Sequence, residues 1–200
     1  MPVRRLFVQS LLITALAPAT VRRTRAAEPG NGPAEKLLSQ GGAGLVVAMR
    51  HALAPGTFDP PGFRLDDCGT QRNLDDEGRA QARRIGVWYR ERKLAPSVVR
   101  SSEWCRCLDT GHLAFGNARR WPSLNSVIGD RSGQQTRTAA LRAELARLAA
   151  SDAPGFEVWV THQANIVALV GNATGSGEAV LLRHDRRSEV PAVLATLSIA

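Results

Sequence analysis

Aromatic residues make up only 5% of this 200-residue chain, and no basic stretch is interleaved with them. A groove that stacks unpaired bases needs both, so nucleic acid is not an expected partner. The apolar run at residues 6–17 falls short of the roughly 20 residues that a bilayer-spanning helix needs, so no stable membrane insertion is expected once the leader is removed. Cysteine is scarce, with Cys68, Cys105 and Cys107 alone. With His112 as the only other ligand type near them, they do not make a zinc set. Neither an internal repeat nor a low-complexity tract is present, which excludes solenoids and arrays.

The formal charge of +8 is concentrated at the start of the chain. Arg4, Arg5, Arg22, Arg23 and Arg25 all precede the first acid, Glu28. Without those five, 21 basic residues face 18 acidic ones, an ordinary surface of about +3. The same segment has the make-up of an export signal: an arginine pair, a short apolar run, then small residues at Ala17, Ala19, Ala26 and Ala27 where a peptidase can cut. Residues 1–27 are therefore expected to be a signal peptide, residues 28–33 a Pro- and Gly-containing linker, and residues 34–200 the folded domain. Arg4-Arg5-Leu6-Phe7-Val8 is similar to the twin-arginine export pattern, and an ordinary secretory signal fits nearly as well. A periplasmic or secreted location by either route follows. An oxidising compartment would permit one disulfide, from Cys68 to either Cys105 or Cys107, leaving one thiol over.

Short apolar runs alternate with amphipathic stretches, the mark of an α/β fold with a mostly parallel sheet. Residues 44–49 predict a strand buried on both faces, with Arg50 and His51 directly after it. Asp75 caps a predicted helix in which Ala82, Ile85 and Tyr89 share a face. A short strand is predicted at 97–100 and a helix at 103–115. A poorly patterned stretch precedes a helix at 136–150, where Leu141, Leu145 and Leu148 align. Residues 158–161 form another buried run, followed by His162 and an apolar helical stretch at 166–170. Residues 179–182 and 193–199 predict two closing strands.

Two histidines thus follow two strands, and in such sheets ligands collect beyond the carboxyl ends of the strands. His51 and His162 are expected on one rim. A guanidinium beside an imidazole suits a phosphoryl group: Arg50 matches its oxygens in two-point geometry, and a neutral His51 can attack phosphorus.

Four segments, in order, resemble the histidine phosphatase superfamily, the phosphoglycerate mutase-like enzymes. Val46-Val47-Ala48-Met49-Arg50-His51-Ala52 is similar to the opening Arg-His-Gly motif. Asn73-Leu74-Asp75-Asp76-Glu77-Gly78-Arg79-Ala80-Gln81-Ala82 is similar to the segment that opens the first helix. Ser101-Ser102-Glu103-Trp104-Cys105-Arg106-Cys107, running on to Thr110, resembles the stretch that holds a second arginine, and Thr161-His162-Gln163-Ala164-Asn165 resembles the late Ser-His-Gly segment. The resemblance covers about residues 45–170 and implies a three-layer sandwich. It further implies that His51 attacks in line while Arg50, Arg106 and His162 hold the phosphoryl oxygens. Arg100 is the second choice for the second arginine, and Asn73 lies in a loop that could join the phosphate site. No metal or cofactor is called for.

Ala52 and Gln163 stand where the family usually has glycine. The family's proton donor has no clear counterpart: residues 121–131 offer only Asp130, the candidate general acid, with a surface or capping aspartate as the alternative and Glu103 in reserve. The expected function is hydrolysis of small phosphate monoesters through a phosphohistidine on His51. Location alone suggests an envelope sugar phosphate as substrate. A binding protein that kept the pocket and lost turnover is the alternative. A phosphomutase fits less well, because shielding the intermediate from water calls for extra segments that this chain lacks.

Overall fold

Along the first strand the side chains divide between two cores, and that division sets the layers. The computed structural model describes residues 31–151 and 153–199. In β1 (Leu45–Arg50), Leu45, Val47 and Met49 join one cluster, while Val46 and Ala48 join the other. A strand's side chains alternate between faces, so a strand apolar at every position must be covered on both. Helices α1 (Gly32–Gln40), α2 (Asp76–Glu91) and α3 (Cys105–Phe115) cover one face through Leu38, Ile85, Trp88, Tyr89 and Ala114. Helices α4 (Arg131–Ala149) and α5 (Gln163–Val170) cover the other through Leu141, Leu145, Ile166 and Leu169.

The sheet also contains β2 (Val98–Ser101), β3 (Arg119–Arg120), β4 (Phe156–Thr161), β5 (Ala179–Arg183) and β6 (Ala192–Leu197), in the order β3-β2-β4-β1-β5-β6. The β3-β2, β2-β4 and β4-β1 pairs are parallel, and β5 and β6 close the sheet in antiparallel pairs. This is the expected three-layer α/β sandwich with a mostly parallel sheet.

Two local expectations need correction. The linker expected at 28–33 is not all linker: Gly32 and Pro33 begin α1, and Asn31 holds the fold's last strand. Its Nδ2 donates to the Ser198 carbonyl at 2.8 Å, and its Oδ1 accepts from the Ser198 amide at 2.9 Å. Proline near a helix start is favourable, since the N–H it lacks would be unpaired there anyway. The helix expected at 136–150 begins earlier, at Arg131, because the Asp130 carboxylate accepts from the Gly133 amide and caps it. The expected signal at residues 1–27 lies outside the described residues.

Helix α2 starts as its sequence predicts, with the Asp75 side chain accepting from the Gly78 amide at 2.8 Å. Gly78 packs so closely that a Cβ there would lie 1.9 Å from the Leu53 carbonyl oxygen. One turn on, Gln81 Oε1 accepts from the Leu53 amide, and its Nε2 donates to the Ser176 carbonyl. The Gly and Gln of this segment therefore fix the chain as it leaves His51.

Candidate active site

Strands β1 and β4 are parallel neighbours in register, Arg50 opposite Thr161, so their next residues meet. The His51 amide donates to the Thr161 carbonyl at 3.0 Å, and the rings of His51 and His162 lie 5.5 Å apart. Both histidines are buried. They line a cleft of about 960 Å³ at the carboxyl end of the parallel strands, together with Arg50, Arg72 and Arg106.

His51 Nδ1 lies 2.7 Å from the Ala52 carbonyl. A carbonyl can only accept, so Nδ1 carries the hydrogen and Nε2 keeps its lone pair. Nε2 makes no hydrogen bond among the described residues. Burial lowers the His51 pKa to about 3, the Ala52 carbonyl works against that shift, and the cations of Arg106, Arg72 and Arg50 add to it. The ring is neutral at neutral pH, as a nitrogen nucleophile must be. Ala52 has no exposed surface, and its amide donates to Thr110 Oγ1 at 3.0 Å. Thr110 Oγ1 in turn donates to the Arg106 carbonyl at 2.7 Å, linking the two motifs.

Arg106, in the first turn of α3, is 3% exposed. Its Nη2 lies 3.4 Å from His162 Nδ1 and its Nη1 donates to the Arg72 carbonyl at 3.2 Å. Because a guanidinium only donates, His162 Nδ1 accepts, and the ring hydrogen sits on Nε2, 2.9 Å from Ser102 Oγ. Burial, then Arg106, push the His162 pKa well down, so it too is neutral. Arg50 Nη1 donates to the Thr174 carbonyl at 3.0 Å. Gln163 and Ala164, at the start of α5, line the same cleft.

Two cleft residues carry no signal in the sequence. Asp59 accepts from Arg106 Nη1 at 2.8 Å and Nη2 at 3.2 Å, from Trp104 Nε1 at 3.1 Å and from the Arg72 amide at 3.0 Å. Burial pushes its carboxyl up, but the bonds from Arg106, the Arg72 amide and Trp104 outweigh this and hold it below its usual range. Arg72 adds a third guanidinium to the cleft, tied to the Ala54 carbonyl.

The remaining candidates separate cleanly. Arg100 lies away from the cleft, paired with Glu157 at 2.8 Å and Glu144 at 2.7 Å, so Arg106 is the arginine at the site. Asn73 is not among the cleft's lining; its Nδ2 donates to the Cys68 carbonyl at 2.6 Å and pins the loop instead. Glu103 is held by Asn125 Nδ2 at 2.7 Å, also outside the lining. Asp130 does line the cleft, but as the cap of α4 and the partner of Arg137. The Gly133 amide, Ser132 and Arg137 hold its carboxyl below the usual range, the opposite of what a general acid requires.

Of the two disulfide pairings left open, Cys68–Cys105 forms, with the Cα atoms 5.7 Å apart. Cys107 is the buried thiol, 3.5 Å from His162 Nε2. Burial pushes its pKa up to about 12, so it is no nucleophile.

Solved structures of similar overall architecture identify the fold. A protein histidine phosphatase SixA, complexed with tungstate, matches with a TM-score of 0.52 at 18% identity, over 77% of this chain and 96% of its own. A mutant phosphoserine phosphatase from Entamoeba histolytica, in complex with phosphoserine, matches with a TM-score of 0.56 at 12% identity, over 78% and 97%. The chain has the histidine phosphatase fold. No protein-family model and no curated protein matches the sequence. Within the histidine phosphatase fold, Arg50, His51, Arg106 and His162 converge as the four sequence segments imply. Where the family usually has glycine, Ala52 is accommodated as a buried methyl and Gln163 as the first residue of α5.

Proposed function

We propose that the chain is a phosphatase that hydrolyses small phosphate monoesters through a phosphohistidine on His51. The observation that carries this reading is the state of His51: buried, neutral, with Nδ1 locked on the Ala52 carbonyl and Nε2 left unbonded beside three guanidiniums. Structures of the same fold hold tungstate and phosphoserine, a phosphate mimic and a phosphate monoester.

In the proposed reaction Nε2 attacks phosphorus as the bond to the leaving oxygen breaks. Arg50, Arg72 and Arg106 hold the phosphoryl oxygens, where fixed cations stabilise the spreading charge. A water then attacks phosphorus, the N–P bond breaks, and inorganic phosphate leaves. His162, with its hydrogen on Nε2 toward Ser102 Oγ, accepts from Arg106 through Nδ1 and so steadies that guanidinium at the site. The cleft's two carboxylates, Asp59 and Asp130, are both engaged as acceptors. Leaving groups that need little protonation are therefore expected to react best.

The test is hydrolysis of an aryl phosphate by wild type and His51→Ala, with a neutral quench to preserve phosphohistidine. His51-dependent turnover and a labelled intermediate are expected. A protein inactive on every ester, yet stabilised by vanadate, would be the binding protein instead.

We further propose that residues 1–27 direct export and that the domain works outside the cytoplasm. The Cys68–Cys105 disulfide supports this, since such bonds persist in oxidising compartments. An N-terminal sequence of the exported protein beginning near residue 28 is the expected result.

A further inference from the structure

The cleft is far larger than a phosphoryl group, and its upper walls are made of residues that the phosphate chemistry does not use. Phe58 is 72% exposed, Ile128 61%, Val167 41% and Phe63 37%. All four line this cleft, and they are half of the eight large apolar side chains that stand exposed among the described residues. Single exposed apolar residues are ordinary, whereas several gathered at one concave mouth mark a ligand-binding surface.

They come from three separate segments. Phe58 and Phe63 lie in the loop between β1 and α2, and the Phe63 ring rests 5.6 Å from that of Trp104. Ile128 precedes α4. Val167 is on α5, with Ala164 and Ala168 on the same helical face. Arg137, which also lines the cleft, is occupied, bonding to Asp130 and to the Ser126 carbonyl, while Thr57, Gln134 and Gln163 stand beside the apolar group.

We propose that the substrates are phosphate monoesters whose organic group is apolar, the phosphate entering toward His51 while the organic group lies against Phe58, Phe63, Ile128 and Val167. This rests on the phosphatase reading above and refines it. The cation-lined floor matches the charged end and the bare walls match the other. A sugar, suggested by location alone, would lose water from any hydroxyl pressed against these four side chains, which offer no hydrogen-bond partner.

Binding of methyl-, butyl- and hexylphosphonate to the mature protein, measured by calorimetry, tests the walls without any need for turnover. A buried methylene changes affinity by up to about fourfold, so even half-buried chains should give a roughly thirtyfold gain from methyl to hexyl. The double variant Phe58→Ser/Ile128→Ser should flatten the series. A flat wild-type series, or a steep one that the double variant leaves unchanged, overturns the proposal. Hydrolysis of phenyl, hexyl and glycerol phosphates separates the two readings. A flat phosphonate series with His51-dependent turnover keeps the phosphatase and discards the apolar walls. A steep series with no turnover does the reverse.

Discussion

The carboxylate of Asp59 lies across the guanidinium fork of Arg106, 2.8 Å from Nη1 and 3.2 Å from Nη2, at the cleft where that fork would grip a phosphate. In the proposed reaction, phosphate therefore competes with a side chain of the protein itself. Asp59→Asn weakens this competition and removes a negative charge, so inorganic phosphate should bind about three- to tenfold more tightly, read by calorimetry. Because a buried arginine that loses its partner is costly, the ligand-free variant should be less stable by roughly 3 kcal/mol. An unchanged phosphate affinity would show that Asp59 does not compete.

The buried histidines make stability depend on pH. Their folded pKa values lie below the ordinary value, His51 near 3. Between about pH 6.5 and 3 the unfolded chain binds protons that the folded His51 does not, so stability falls as pH falls through that window. Each such histidine adds a slope of about 1.4 kcal/mol per pH unit. Urea unfolding from pH 7 to 4 should show this slope, and His51→Ala should reduce it by one histidine's share.

Arg106 and Arg100 should fail in different ways. Arg106→Ala is expected to weaken phosphate binding by about ten- to a hundredfold, the range for hydrogen bonds to a charged group. Arg100→Ala breaks pairs with Glu157 and Glu144, so the loss should appear as roughly 2–4 kcal/mol of stability, with phosphate affinity of the folded protein kept within about twofold. Calorimetry and denaturation on both variants check this.

Removing the assigned acid gives a further contrast. Loss of a true general acid slows a reaction by about 10²–10⁴-fold. Asp130→Asn should slow aryl phosphate hydrolysis by less than about tenfold, because Asp130 already serves as a cap and an ion-pair partner.

The Cys68–Cys105 disulfide closes a separation of 37 residues and ties the loop carrying Asp59 and Arg72 to the start of α3, which carries Arg106. Restricting the unfolded chain this way is worth roughly 3–4 kcal/mol. A reducing agent should lower the urea midpoint accordingly and weaken phosphate binding, while Cys68→Ala/Cys105→Ala should ignore the reductant.

What the sequence revealed follows from where each residue sits. Arg50, His51 and His162 were legible because Arg50 ends a buried strand and each histidine directly follows one, so the sheet itself determines their meeting. Arg106 was legible only through the order of the four segments. Asp59 and Arg72 were not, since they lie in a Pro- and Gly-rich loop whose path is set by contacts rather than periodicity. Asp130, the one acid of residues 121–131, proves to be the capping aspartate that was the alternative to a general acid, as the Gly133 three residues on allows. Helix α1 was partly hidden because Gly32 and Pro33 resemble a linker.

The clasp between Asn31 and Ser198 has a geometric consequence. Strand β6 runs in the same direction as β1, with Leu197 and Met49 both level with Ala179, so Ser198 and Asn31 stand at the end of the sheet that bears Arg50 and His51. The first and last described segments are thus joined at the same end of the sheet as the cleft, so a change at Asn31 or Ser198 acts on the edge of the sheet nearest the two histidines.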